Sequence, residues 1–388
     1  MRKTTPPRSL APRAARRALQ DASVALLSSL VAALLLLDSC ATIEGPRLYP
    51  LPASVTFAGE NVPLGESDAY ERIWGWYNYF LSRPWVVEVW LQRARSIFPF
   101  IDAELRNHRL PLDLRYLAVA ESSLDPRATS PSGAGGIWQF MPGTAALYGL
   151  RIDRFVDERY DYLLETRAAL SYFENARREL GGSWFLVCAA YNLGITAIKD
   201  RVERQGSTDY WSMVFPPQTD EYVPKIIAIK LIMENARSLG FAIPTEKADR
   251  AVRLTLATVD NPIYLSDIAS ATGLPFRQVW LLNPQIKGLL LPPGSYDFYL
   301  PERFASKRRI LNDYLNGLPY ERETFVVKKG DTLFSTARAL GTTVDELESI
   351  NDLKGSATLA IGAKLLYWRR VVAEGYNQDQ PQFSGRGR

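Results

Sequence analysis

Residues 265–284, LSDIASATGLPFRQVWLLNP, align without a gap on residues 333–352, LFSTARALGTTVDELESIND, 68 positions further on. Leu265 and Leu333, Ala269 and Ala337, Ala271 and Ala339, Gly273 and Gly341, and Asn283 and Asn351 are identical. Each copy reads as a helix, a glycine that stops it, a second helix and an Asn. Strand-like runs flank both copies, at 252–256 and 296–300 for the first and at 325–327 and 364–367 for the second. Thr343 and Glu346 have the spacing of a capping box. The last third of the chain is thereby constrained to two small strand–helix–helix–strand (βααβ) units.

The other end reads as an address. Residues 1–20 are Arg-rich and residues 24–37 are a run of apolar and small side chains. That run is as long as the core of an export signal and shorter than the roughly 20 residues of a membrane span. Leu37-Asp38-Ser39-Cys40 follows. It resembles the bacterial lipoprotein box, which implies cleavage before Cys40, a lipid on its thiol and attachment to a membrane through it. Asp38 departs from the usual small residue. Ala41 favours the periplasmic face of the outer membrane of a diderm bacterium. Residues 40–66, rich in Pro, Gly and small residues, read as a tether.

Charge and cysteine content exclude several classes of function. The formal net charge of the 388 residues is +4. Six basic residues and two acids precede Cys40, and forty of each sign remain beyond it. Nothing therefore points to a nucleic-acid partner. Two cysteines make no disulfide framework, and Cys188, inside an apolar run, reads as a small buried side chain. A single histidine, His108, argues against a Ser-His-Asp triad or a His-rich metal site. No cofactor is expected.

Between these ends the pattern is helical and aromatic. Residues 68–107 read as helix, with Trp85, Val89, Ala94 and Phe98 on one apolar stripe. Pro111 suits a first helical turn, and Leu114 and Leu117 share a helical face with Glu121. Glu121 read from this helix alone is a solvated carboxylate paired with Arg115 or Arg127. Along an apolar stripe it is instead a carboxyl with a raised pKa, suited to general acid chemistry. A Ser/Gly turn follows, then Ile137-Trp138-Gln139-Phe140-Met141-Pro142. Gln139 offers a donor and an acceptor, as a sugar N-acetyl group requires. Trp138, Phe140 and Met141 fit either a groove wall or a core. Residues 158–182 read as an amphipathic helix and residues 184–194 as an apolar one ending in Tyr191-Asn192-Leu193-Gly194. Tyr222-Val223-Pro224-Lys225 opens a helix extending to residue 239.

Glu-Ser before Asp-Pro, Gly-Ala-x-Gly-Ile-Trp-Gln-Phe-Met-Pro, Ala-Ala-Tyr-Asn-x-Gly and Tyr-Val-Pro-Lys occur here in one order over residues 85–241. Together they resemble the soluble-lytic-transglycosylase catalytic domain, in the arrangement of its membrane-bound members. Leu193 and Gly136 stand where the family usually has other residues. The segment beginning Val327-Lys328-Lys329-Gly330-Asp331-Thr332-Leu333 resembles a LysM module, a glycan-binding βααβ unit, with Thr336 where an apolar residue is common. The first copy has Asn261-Pro262-Ile263-Tyr264 in place of Gly-Asp-Thr and reads as a degenerate LysM or a spacer.

The resemblance implies a mainly α, lysozyme-like catalytic domain followed by small α+β modules. It implies cleavage of the β-1,4 bond between N-acetylmuramic acid and N-acetylglucosamine in peptidoglycan glycan strands without hydrolysis, leaving 1,6-anhydro ends. By motif, Glu121 is acid and then base. Ser122 holds Glu121 or the sugar, Gln139 and Asn192 bind N-acetyl or hydroxyl groups, Met141 walls the groove, and Tyr191 and Tyr222 bring hydroxyls to the reacting centre. A hydrolytic muramidase and a non-catalytic wall-binding lipoprotein are the alternatives. The expected division is a signal at 1–39, a tether at 40–66, the catalytic domain at 67–245, the degenerate module at 246–302, a linker at 303–322, the LysM module at 323–368 and a disordered tail at 369–388.

Overall fold

The computed structural model describes residues 48–244, 251–353 and 358–371. The leader, Cys40 and most of the expected tail lie outside the described residues. Among the described residues no helix is long and apolar enough to cross a membrane.

The segment expected to be a tether is in part built into the catalytic body. Strands β1 (Thr56–Phe57) and β2 (Glu60–Asn61) form a tight hairpin. Val55, Phe57 and Val62 are buried, and the Ala58 amide donates to Asp113 Oδ2 at 2.7 Å. Burying a side chain such as Phe57 contributes roughly 1.5–3 kcal/mol, which favours order over a free linker. The Glu60 carboxylate accepts from the amide of Trp184 at 2.5 Å, at the start of a later helix.

Helices α1 (Ser67–Leu81) and α2 (Pro84–Asn107) follow. The buried stripe of α2 is Val87, Trp90, Ala94, Ile97, Ile101 and Leu105. This corrects the expected stripe: Trp85 is 66% exposed and Val89 37%. The observed set keeps the 3.6-residue period along the whole helix, whereas Trp85 lies on the solvent side of the first turn. A 3₁₀ turn (Leu112–Leu114) then leads into α3 (Arg115–Ser122), which carries Glu121.

The remaining helices of the catalytic body are α4 (Pro142–Leu147), α5 (Tyr162–Glu179), α6 (Trp184–Leu193), α7 (Ile195–Gln205), the single turn α8 (Pro217–Asp220) and α9 (Tyr222–Glu234). Helix α9 is apolar on all sides, as a central helix must be. Val223, Ile226, Ile227, Ile229 and Ile232 are buried on it, against α1, α3 and α6. It ends at Glu234, short of the expected 239.

Both repeat units form as expected. In the first, β3 (Ala251–Thr255) pairs antiparallel with β6 (Asp297–Pro301) around α10 (Leu265–Thr272) and α11 (Phe276–Leu282), and a short second pair joins β4 (Ile263–Tyr264) to β5 (Leu290–Leu291). In the second, β7 (Tyr320–Val326) pairs with β8 (Lys364–Arg370) around α13 (Leu333–Leu340) and α14 (Val344–Ile350). Gly273 and Gly341 are left-handed, with φ +66° and +68°, where a side chain would be strained. The two repeated Asn residues do the same work. Asn283 accepts from the Tyr299 amide at 2.7 Å and donates to the Tyr299 carbonyl at 3.0 Å. Asn351 accepts from the Leu366 amide at 2.6 Å and donates to its carbonyl at 2.7 Å. Each ties its second helix to the closing strand.

The expected linker is part of the first module. Helix α12 (Arg308–Asn316) follows a 3₁₀ segment (Glu302–Lys307), and its Leu311 and Leu315, with Leu318, complete that module's core. Strand β8 also takes in Arg369 and Arg370, two positions expected to begin the tail. The observed capping box joins Thr332 to Ser335; Thr343 caps through the Glu346 amide alone.

Thr336 is 1% exposed and its hydroxyl has no partner. Its counterpart in the first copy is Ile268. An unpaired buried hydroxyl costs about 1–3 kcal/mol. Thr336→Val is therefore expected to raise the unfolding midpoint of the last module, read by thermal melts of the full chain.

Candidate active site

Helix α3 ends one position beyond Glu121, in a turn that the sequence does not advertise. Ser123 and Leu124 are both left-handed, with φ +55° and +58°, a conformation that costs a non-glycine residue about 1–2 kcal/mol. Helix α2 holds them there. Trp90 Nε1 donates to Ser123 Oγ at 3.0 Å, Arg93 donates to the Ser123 carbonyl at 3.0 Å and pairs with Asp125 at 2.7 Å, and the Leu124 side chain is fully buried. Asp125 also accepts from the Arg127 amide at 3.0 Å, closing the bend.

The loop after this turn is fixed through one dipeptide. Glu165 on α5 is fully buried, and its two carboxylate oxygens accept from the amides of Ile137 (2.7 Å) and Trp138 (3.1 Å). Ser122 Oγ donates to the carbonyl of Ile137 at 2.9 Å, and the Tyr191 hydroxyl to that of Trp138 at 2.8 Å. All four polar groups of the two residues are thus held, two from α5 and one each from α3 and α6. Gly136 makes room for this. At φ +84°, a Cβ there would lie 1.8 Å from the Arg159 carbonyl oxygen and 2.2 Å from the Glu165 carboxylate. The departure noted at Gly136 is thus a requirement of the loop.

Burial pushes the Glu121 carboxyl pKa above its usual range, against the opposing influence of a Tyr222 hydrogen bond and the Lys225 charge. The Tyr222 hydroxyl, at the start of α9, donates to Glu121 Oε1. One turn on, Lys225 Nζ donates to the Ala120 carbonyl at 2.7 Å, and burial lowers its pKa. The phenols of Tyr191 and Tyr222 are pushed up, first by burial and then by the Glu121 charge. Burial thus disfavours the charged form of Glu121 and of both phenols.

Beside it opens a cleft of about 900 Å³ whose walls include Gln139, Phe140, Met141, Tyr191, Asn192 and Asp200. Glu121 is not among the lining residues; Tyr191, which lies on the wall and feels the Glu121 charge, links the two. Met141 is 43% exposed there, and Leu193 of the Tyr-Asn-Leu-Gly run also lines the cleft. Asn192 accepts from Thr219 Oγ1 at 2.8 Å through its carbonyl oxygen. Gln139, at φ +52°, spends its Nε2 donor on the carbonyls of Ala128 (3.1 Å) and Gly136 (2.8 Å), so it braces the loop. Trp138 is a core residue, fully buried with its indole N–H on Thr166 Oγ1 at 2.9 Å.

The structure thus pairs Tyr222 with Glu121, sets Ser122 and Tyr191 on the loop carbonyls, and sets Gln139, Met141 and Asn192 along the cleft. Cys40 lies outside the described residues. Two contributors were missed in the sequence: Lys225, present in the Tyr-Val-Pro-Lys motif without a role, and Glu165. Among the described residues, no group of three or more His, Cys, Asp or Glu converges as a metal site would require.

The transglycosylase SLT domain family matches residues 98–214 and the LysM domain family residues 325–367. Membrane-bound lytic murein transglycosylase D of Escherichia coli K12 is 31% identical over 343 residues, spanning 82% of this chain and 75% of that protein. This chain belongs to the lytic murein transglycosylase D family. A shorter likeness, 28% identity over 138 residues covering 32% of this chain and 26% of the relative, reaches membrane-bound lytic murein transglycosylase F of Salmonella arizonae. The 70 kDa soluble lytic transglycosylase of E. coli aligns in structure over 48% of this chain and 33% of its own, with 18% identity and a TM-score of 0.33. Membership in the transglycosylase D family makes this chain a peptidoglycan lytic transglycosylase with a mainly helical SLT body and a LysM module.

Tyr222→Phe tests the wiring of Glu121. The Tyr222 hydrogen bond favours the charged carboxylate, so its loss raises the Glu121 pKa further. The alkaline limb of the pH–rate profile is expected to move upward while the maximal rate falls roughly tenfold.

Proposed function

We propose that the chain cleaves the glycan strand of peptidoglycan between N-acetylmuramic acid and N-acetylglucosamine with Glu121 as the one acid and base. Glu121, protonated, gives its proton to the leaving glycosidic oxygen as positive charge grows on the muramic C1. The carboxylate so formed, steadied by the Tyr222 hydroxyl and the Lys225 charge, takes the proton of the same sugar's C6 hydroxyl. The C6 oxygen closes on C1, giving a 1,6-anhydro end. No water is consumed, because the nucleophile is already attached and aligned.

The observation that supports this chemistry is how the neighbouring carboxylates are used. A hydrolase of the usual kind needs a second carboxylate, to activate water or to attack C1. Asp125 is paired with Arg93. Glu165 is buried behind the loop on two backbone amides. Both are engaged with protein groups, whereas Glu179, Asp200 and Glu203 line the cleft; in the proposed reaction the substrate's own acetamido oxygen steadies C1. The Ser122, Gln139, Met141, Tyr191 and Asn192 roles follow the same reading: Ser122 and Gln139 hold the loop, Tyr191 bounds the reacting centre, and Met141 and Asn192 receive the sugars. Residues 323–368 bind glycan, and a lipid on Cys40 holds the enzyme at the periplasmic face of the outer membrane.

Mass spectrometry of fragments released from purified sacculi tests the reaction. Anhydro ends, one water lighter than hydrolysed ends, are expected; reducing ends alone would identify a muramidase.

A further inference from the structure

A second hollow, of about 410 Å³, lies on α1 and is lined by Glu71, Arg72, Gly75, Trp76, Tyr79 and Glu221. Its aromatic wall is the edge-to-face pair Trp76–Tyr79, with ring centroids 5.3 Å apart. Tyr79 is 46% exposed. Trp76 Nε1 donates to the Glu221 carboxylate at 2.7 Å. Arg72 pairs with Asp220 at 3.0 Å, yet its Nε–H is buried without an acceptor.

Gly75 stands out in this setting. It sits inside a 15-residue helix, where glycine costs about 1 kcal/mol relative to alanine. Its φ is not left-handed, and a Cβ placed on it would meet nothing within 4 Å. Neither backbone conformation nor packing within the protein calls for glycine there. A bare backbone beside two rings does suit the close approach of a flat ligand.

The hollow adjoins, in the chain, a segment that supports the reacting centre. Glu221, on its rim, precedes Tyr222, whose hydroxyl holds Glu121. Thr219, two residues earlier, holds Asn192 on the wall of the main cleft. The segment 219–222 therefore touches a cleft residue, the hollow and Glu121 through Thr219, Glu221 and Tyr222 in turn.

We propose that this hollow is a saccharide subsite, taking an N-acetylated amino sugar of the glycan strand beyond those held in the main cleft. The Trp76 and Tyr79 rings take the apolar face of the pyranose. Glu71 and Glu221 on its lining take its hydroxyl and acetamido groups. The inference rests on the proposed action on glycan strands. It adds that the enzyme reads strand length on the α1 side of Glu121.

The test compares long peptidoglycan glycan strands with a tetrasaccharide substrate. Gly75→Leu fills the hollow with a good helix former at an exposed position, and Tyr79→Ala removes part of its wall. With the full-length chain, each is expected to lower the ratio of kcat/KM on long strands to that on the tetrasaccharide by about tenfold, mainly through KM on the long strands. An unchanged ratio in both variants, whether the two rates hold or fall together, overturns the proposal. Product mass decides the reaction separately, because the length ratio is read whether the new ends are anhydro or hydrolysed.

Discussion

Glu121→Gln is expected to abolish release of anhydro fragments from sacculi, with a loss of roughly 10³-fold or more. General acid–base assistance alone is worth about 10²–10⁴-fold, and in the proposed reaction one residue serves both halves. An amide has no proton to give to the leaving oxygen and cannot take one from the C6 hydroxyl. The fold should not suffer. Burial already disfavours the Glu121 charge, and Gln keeps an oxygen for the Tyr222 hydroxyl. The melting temperature is expected to hold or rise while activity vanishes. A variant that melted normally and still released anhydro ends would sink the mechanism.

Glu165 carries the second large effect, by a different route. Glu165→Ala strips the acceptor from two buried amides, Ile137 and Trp138, and leaves a cavity behind the loop. Each orphaned donor costs about 1–3 kcal/mol, so a loss of roughly 3–5 kcal/mol is expected in denaturant unfolding. Because the Ile137 and Trp138 carbonyls anchor Ser122 and Tyr191, the loop should also loosen around Glu121. Displacements of about 1 Å cost up to about 10²-fold in rate, which should appear in kcat. Glu165→Gln removes the titration, at the expense of one of the two acceptors, because its NH2 faces an amide N–H. Burial raises the Glu165 pKa well above 4.5, and Asp161 and Asp157 add to the rise. A raised acid pKa means the folded state holds the proton longer than the unfolded chain does. Its contribution to stability is full below the unfolded pKa and is lost as pH climbs toward the folded one. The Gln variant should therefore lose less stability than wild type between pH 4.5 and neutrality, a slope readable from melts across pH. Glu121 contributes a slope of the same sign, so the dependence is reduced and not removed.

Glu121 and Tyr222 were legible because each lies in a short motif with a reactive group at a fixed place, and the four motifs keep their order. The two modules were legible because a gapless repeat fixes the same helix stop and the same Asn twice. Glu165 was not. On an amphipathic helix it resembles any solvated acid, and its partners lie 28 and 27 residues earlier in the chain. The available clue was indirect: a glycine-rich loop of buried residues leaves amide donors that need an acceptor somewhere. The strained Ser123–Leu124 turn was equally hidden, since it depends on Trp90 and Arg93 from another helix. The hairpin at 56–61 and helix α12 had local signals in Val55, Phe57 and Val62 and in the four-residue spacing of Leu311 and Leu315. Proline and charge content outweighed them.

The first module joins the catalytic body through buried groups. Val156 belongs to the module's apolar core, the Asp157 amide donates to the Gln285 carbonyl at 2.8 Å, and the Lys287 amide to that of Phe155 at 2.9 Å. Tyr299 donates to Asp161 at 2.6 Å, and the same carboxylate caps α5 through Leu163 and Leu164. The helix that carries Glu165 thus owes its start to a residue also held by the neighbouring module. The last module is tied on as well: the Tyr320 hydroxyl donates to the buried Asp267 carboxylate at 2.8 Å, Arg370 pairs with it at 3.4 Å, and Arg154 pairs with Asp352 at 3.3 Å. A breakpoint near 245 would uncover Val156 and leave Asp161 without Tyr299. What the repeat presents as two equivalent units is, for a lineage shuffling its parts, a chain of dependences: losing the last module would strip Asp267 of Tyr320 and Arg370, as losing the first would strip Asp161 of Tyr299.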